Sequence, residues 1–288
     1  MKRFYLAIAL LATLALPVQA QQVKSTKAAQ AAVEKAAADT LNPKKNTKPA
    51  TWIKLGKSFL DAYAAPAGNA WVGATMADAQ IVLGEEKPIS EEVVELGGQQ
   101  MTKAVYETRN YYYAANGVLQ IIEVTKPIYP DALEQAMHAY VTAQSLDEKG
   151  AKKKDLALAF QTISGKFVEE AYNAYTFNNL EKASYYFGMA AEASLQEPYA
   201  SVDTSSVYNA GLTAYMIGDI PRAKKYFEQS VALGYYGEDG DAYAKLADIA
   251  DKAGDKALCR QYLEEAFMKF PQSQGVLIGL INYYINSG

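Results

Sequence analysis

Apolar positions along this chain recur mainly with the period of a helix, and small residues fill many of them. In the stretch VYNAGLTAYMIGDIPRAKKYFEQSVAL (207–233), Ala210, Gly211, Ala214 and Tyr215 fall on one helical face. Ala223, Phe227, Ser230 and Val231 repeat the pattern after Gly218-Asp219. Glycine adopts positive φ and aspartate caps a following helix, so this pair ends one helix and starts the next. Pro221 lies in the first turn of the second helix, where its missing N–H is harmless. The arrangement recurs on both sides. Helical patterning resumes at Lys153 and runs to Phe177, with Phe167, Ala171, Ala174 and Tyr175 meeting Ala183, Phe187 and Ala190 across Asn178-Asn179. Asparagine tolerates the left-handed conformation that glycine supplies later in the chain. After a Gly-rich link, Gly234 to Gly240, the stripe Tyr243, Leu246, Ala247 and Ala250 pairs with Cys259, Leu263 and Ala266 across Gly254-Asp255. The joints at 178, 218 and 254 are 40 and 36 residues apart.

The N-terminal half is less regular. Residues 23–41 are Ala-rich and predict a solvent-facing helix that ends at Asn42-Pro43. A second helix containing Trp52, Leu55-Gly56 and Phe59 runs to about Tyr63, and Ala65-Pro66-Ala67-Gly68-Asn69 breaks it. Its partner comes only at Pro130-Asp131, with Asp131 as cap and Ala136, Tyr140 and Ala143 as the packing stripe. Residues 66–128 therefore read as an insertion. Within it, Met76–Leu83 and Ser90–Leu96 predict short helices, the latter capped by Ser90 with Glu91-Glu92 in its first turn. Gly97-Gly98 reads as a breaker. Asn116-Gly117 between β-prone runs, one carrying Tyr111-Tyr112-Tyr113, predicts a β-hairpin over about 104–125.

Composition narrows the function classes. Lys2-Arg3, an apolar run from Phe4 to Leu16, Pro17 and Val18-Gln19-Ala20 predict a secretory signal peptide over 1–20. The residue after the expected cut is Gln21, which disfavours a lipoprotein anchor, and the mature chain is expected to be exported without a membrane anchor. Removing Lys2 and Arg3 from the 28 basic residues leaves 26 against 32 acidic ones, a net charge of −6. That balance argues against a nucleic-acid footprint. The single Cys259 excludes an internal disulfide, and its small-residue position predicts a buried thiol. The single His138 reads as a surface or partly packed residue. Glu238-Asp239-Gly240-Asp241 lacks the ligand spacing of a calcium loop and reads as a helix cap. No nucleotide-binding fingerprint occurs. No catalytic residue, metal site or cofactor is assigned, and the expectation is a non-enzyme.

The helix–turn–helix at 207–233 and the Trp52/Leu55-Gly56/Phe59 spacing resemble tetratricopeptide (TPR) repeats, units of about 34 residues. The resemblance extends to exported TPR proteins of Bacteroidetes. It implies a mainly α fold: a TPR-type α-solenoid of antiparallel helix pairs, with a hairpin-containing insertion in the first repeat. It divides the chain into a signal peptide (1–20), N-terminal helices and a first unit with its insertion (21–150), and repeats ending in a half repeat (151–288). It implies a periplasmic scaffold holding a partner protein or peptide in a groove. The groove positions carried over are Val168, Tyr172, Tyr175, Tyr208, Leu212, Tyr215, Met216, Asp248 and Asp251. Chaperone-binding relatives clamp a carboxylate with Lys, Arg and Asn there; this chain offers Val168, Tyr172 and Asp248 instead, which favours extended peptides with basic or apolar side chains. The alternative is a glycan or small-ligand binding protein using the Tyr-rich groove and the insertion. The last helix, apolar on all sides over 276–285 with Gly288 at the next turn position, implies self-association, coverage by a partner, or a longer repeat protein.

Overall fold

The computed structural model describes residues 23–287. The expected signal peptide and the turn role of Gly288 lie outside them. The described chain is mainly helical with one four-stranded antiparallel sheet. Two helices come first, α1 (Thr26–Thr40) and α2 (Pro49–Ala64). The short α3 (Met76–Leu83) precedes β1 (Ser90–Leu96), β2 (Gln99–Val105), β3 (Arg109–Ala114) and β4 (Leu119–Val124). Then come α4 (Ala132–Leu146), α5 (Lys153–Thr176), α6 (Leu180–Leu195), α7 (Thr204–Met216) and α8 (Ile220–Ala232). The series ends with α9 (Asp241–Lys252), α10 (Lys256–Lys269) and α11 (Gln274–Ser287).

Helix α1 buries only the narrow stripe Ala29, Val33 and Ala36, and α2 packs along it. Helix α2 in turn packs on α4, so everything between them is spliced into a helix pair. Their approach depends on Gly56, where a Cβ would lie 2.4 Å from the Tyr140 ring. Asp131 occupies the N-cap position of α4, but its carboxylate accepts from the Gln135 side-chain amide (2.8 Å) rather than from the backbone.

From α5 onward, each helix packs on the next. The three joints share one construction. Asn178, Gly218 and Gly254 all sit in the left-handed region, at φ 59°, 79° and 80°. The N–H after each reaches back to Ala174, Ala214 and Ala250, closing the helix with a Schellman-type bond. Asn179, Asp219 and Asp255 then cap α6, α8 and α10, accepting from Lys182, Arg222 and Leu258 N–H. Between helices the core is fine-grained. Ala183, Ala223 and Cys259 are buried at equivalent positions, beside the buried Phe187, Phe227 and Leu263. A Cβ on Gly211 would meet the Phe227 ring at 3.1 Å. Two buried hydroxyls tie neighbours together: Ser164 donates to the Ala190 carbonyl and Ser184 to the Ala210 carbonyl, each at 3.0 Å. Burial raises the pKa of the Cys259 thiol.

The insertion corrects one expectation. Ser90–Leu96 is strand β1, not a helix, and pairs with β2 from Ser90↔Val105 to Leu96↔Gln99. Gly97-Gly98 is the hairpin turn between them, with both residues at positive φ (60° and 77°), as a two-residue primed turn requires. Hairpin pairing of Val93-Val94 with Met101-Thr102 across this turn thus overrides the helix signals of Ser90 and Glu91-Glu92. The expected hairpin around Asn116-Gly117 is present as β3 and β4, and Asn116 Oδ1 accepts from Val118 N–H (3.2 Å). Ala104 and Val105, expected inside that hairpin, belong to β2.

One sheet face packs on α3 through Ala79, Ala104, Tyr111, Tyr113 and Leu119. The other, with Met101, Tyr112 and Ile121, packs on Phe177 just past the end of α5. The Tyr112 and Phe177 rings meet edge-on at 5.4 Å. Tyr111, Tyr112 and Tyr113 are all buried. Burial pushes the Tyr111 hydroxyl up to about 12, and that hydroxyl donates to the Ala67 carbonyl (2.6 Å). The buried Arg109 guanidinium lies over the Tyr106 and Tyr111 rings (4.5 and 4.9 Å) and donates to Glu86 (2.8 Å).

Candidate functional site

Helices α5, α7 and α9 carry the groove positions expected from the sequence, and the structure gives them unequal exposure. Tyr172 and Met216 are 37% and 50% exposed, and Asp251 is also exposed. Tyr175, Leu212 and Val168 are half-buried and pack against the cores beneath them.

Tyr208 and Tyr215 are also half-buried, and their hydroxyls face neighbouring carboxylates. Tyr208 donates to Asp241 (2.7 Å) and Tyr215 donates to Asp248, so two bonds seven residues apart join α7 to α9. A Cβ at Gly237 would lie 2.6 Å from the Tyr208 ring, so the linker before α9 closes over that side chain. These tyrosines bury their rings and spend their polar tips on the next helix pair, as amphipathic aromatics do. Burial first, then the carboxylates, raises the pKa values of Tyr208 and Tyr215.

The acidic residues on this face are neutralised by lysines that the sequence reading did not place there. Asp241 pairs with Lys245 (3.3 Å), Asp248 with Lys252 (2.7 Å) and Asp251 with Lys256. Lys245 and Lys252 also approach the Tyr215 ring at 5.3 and 5.5 Å. Burial opposes ionisation of Asp248, but Lys252 and Tyr215 outweigh it and hold its carboxyl below the usual range. For Asp241 and Asp248 the signal was available in the sequence as Lys four residues after Asp, the i,i+4 spacing of a helical ion pair. The face is therefore charge-balanced and aromatic.

A second feature draws on segments far apart in the chain. Where the sheet meets the helical stack, a cleft of about 290 Å³ opens between β4, the segment before α4, and the ends of α2, α5 and α6. Tyr63 donates to Glu170 Oε1 (2.8 Å), and Lys182 lies 3.9 Å from Glu170 Oε2 and 5.3 Å from the Tyr186 ring centre. Burial, then Glu170, raises the Tyr63 hydroxyl well above its ordinary value. Glu123 Oε2 accepts from Asn110 (2.8 Å) and Tyr112 (2.6 Å). Glu134 Oε2 is buried with no hydrogen-bond partner, and burial raises the pKa of this carboxyl. Of these residues only Tyr112, in the tyrosine run, is singled out from the sequence. Glu134 lies in the first turn of α4, where an acid complements the helix dipole.

A third opening, a mostly apolar groove of about 450 Å³, runs between α8, α9 and α10 past Ile220, Leu246, Ile249 and Leu258. Among the described residues no group of three or more His, Cys, Asp or Glu side chains is placed to hold a metal ion. No helix there is long and apolar enough to cross a membrane. His138 is exposed on α4. Neither a protein-family model nor a curated protein matches the sequence.

Proposed function

We propose that this chain is an exported, TPR-type α-solenoid that works without catalysis as a periplasmic scaffold, holding an extended peptide of a partner protein along α5, α7 and α9. The equivalent joints at Asn178, Gly218 and Gly254 support the repeat reading, because each ends and restarts a helix by the same two devices. One observation carries the binding reading: Tyr172 and Met216 stay open on a face where Tyr208 and Tyr215 are already fastened to Asp241 and Asp248. A pre-fastened surface binds without first ordering itself, which lowers the entropy lost on association. Its neutralised aspartates favour apolar and aromatic peptide side chains over strongly basic ones.

Arrays of extended peptides test this reading. Apolar-aromatic peptides bind the wild type, and Tyr172→Ala combined with Met216→Ala reduces that binding by about tenfold or more, at the scale of two lost anchors. The helical circular dichroism stays unchanged. Binding unaffected by the double variant removes the groove from consideration. Helix α11 offers a separate surface for self-association, since Ile278, Ile281 and Ile285 are 57%, 56% and 72% exposed.

The alternative, a small-ligand binding protein, draws on a different observation, the cleft between sheet and helices. Tyr111, Tyr112 and Tyr113 are buried, so it is β4 and its neighbours, rather than the tyrosine run, that would present the ligand surface.

A further inference from the structure

The cleft between the sheet and the helical stack has a chemical bias that the α5/α7/α9 face lacks. Its charged lining is three carboxylates, Glu123, Glu134 and Glu170, against one ammonium, Lys182. Most of that charge is already engaged. Glu170 is held by Tyr63 and faces Lys182, and Glu123 is held by Asn110 and Tyr112. Glu134 is different: the Tyr185 hydroxyl lies beside its carboxylate, but its buried Oε2 has no hydrogen-bond partner. A buried carboxylate oxygen without a donor is unfavourable, and a cationic donor relieves it. The rings of Tyr63, Tyr129, Phe177 and Tyr186 line the same space, and the faces of such rings attract cations.

Two helix N-termini border the cleft and would favour an anion, but both are occupied. The Glu134 carboxylate itself sits at the first turn of α4, and Asn179 Oδ1 accepts from Lys182 N–H (3.1 Å) at the start of α6. The volume, about 290 Å³, lies at the small end of the range for ligand sites. We infer that this cleft binds an organic cation, an alkylammonium or guanidinium group on a short aliphatic stem, with Glu134 as its counter-ion. The group comes either from a free amine or from a lysine or arginine side chain of another protein.

Saturation-transfer NMR titrations test the inference, using agmatine, cadaverine, a blocked Gly-Arg-Gly peptide and, as neutral control, 1-pentanol. At least one cation binds saturably and pentanol does not. Glu134→Gln weakens that binding about tenfold or more, the scale of a lost charge-assisted contact. Lys182→Met tightens it, because the only ammonium in the lining is gone. A role for these residues in folding alone predicts neither change. Tyr172→Ala with Met216→Ala leaves cation binding intact, so this site and the peptide groove stand or fall separately. Binding of the peptide alone identifies a protein side chain as the source, and binding of the free amines alone identifies a small molecule. No saturable binding by any of the three cations overturns the inference. So does equal affinity in wild type and Glu134→Gln. Should Glu134→Gln not fold, failure of Lys182→Met to tighten binding decides against it.

Discussion

The helix pairs and the sheet-bearing insertion bury themselves by opposite means. The pairs from α5 to α10 use many small residues and a few rings, and each helix packs on the next one along the chain. The insertion uses a run of buried tyrosines and a buried arginine, and its contacts reach across the sequence to Ala67, Glu86 and Phe177. The first kind of core is repeated and local. The second is singular, and its polar tips and guanidinium need specific partners. The pairs should therefore lose stability through lost volume, and the insertion through lost backbone geometry and hydrogen bonds.

The largest expected effect breaks a helix pair. Phe227 is fully buried between α7 and α8, so Phe227→Ala should cost about 3–5 kcal/mol. Loss of the helical circular dichroism signal at lower denaturant checks this. An intact midpoint would show that the pairs do not depend on their few rings. Smaller and confined to the insertion is Gly98→Ala. Its φ is 77° and nothing lies within 4 Å of an added Cβ, so the cost is backbone strain alone, about 1–2 kcal/mol. Hydrogen exchange should quicken in β1 and β2 while α7 to α10 stay protected. Equal loosening everywhere would mean that the two regions unfold as one.

The smallest effect is a contrast of sign between two carboxyls. Asp248, on the helical face, has its pKa lowered from 3.8, so its contribution is complete above that value and lost as pH falls through the lower folded value. Glu134, at the cleft, has its pKa raised from 4.5, so its contribution is present below 4.5 and lost as pH rises through the raised value. Asp248→Asn should therefore flatten the acid limb of the stability curve. Glu134→Gln should gain on the wild type as pH goes from 4 to 7. Chemical denaturation from about pH 2 to 7 separates the two, and shifts of the same sign would erase the distinction.

How much the sequence reveals follows the same division. The three joints were legible because an Asn or Gly at positive φ and an Asn or Asp cap are neighbours in the chain. The hairpin at Asn116-Gly117 was legible for the same reason. Strand β1 was not, because Ser90 and Glu91-Glu92 imitate a helix start while the pairing that decides the matter lies across Gly97-Gly98. The lysines that neutralise Asp241 and Asp248 were readable from i,i+4 spacing, yet their effect on the face depends on where α7 places Tyr208 and Tyr215. The cleft was least legible. Tyr63, Glu123, Glu134, Glu170 and Lys182 come from five separate elements, and no local pattern announces their meeting.

The paired bonds from Tyr208 and Tyr215 carry a mechanical consequence. A single bond would leave α9 free to swivel against α7, like a door on one pin. Two bonds, set about 10 Å apart along a helix rising 1.5 Å per residue, act as a pair of rivets and remove that swivel. The angle between those helices is then set by the sequence itself, before anything lies across them.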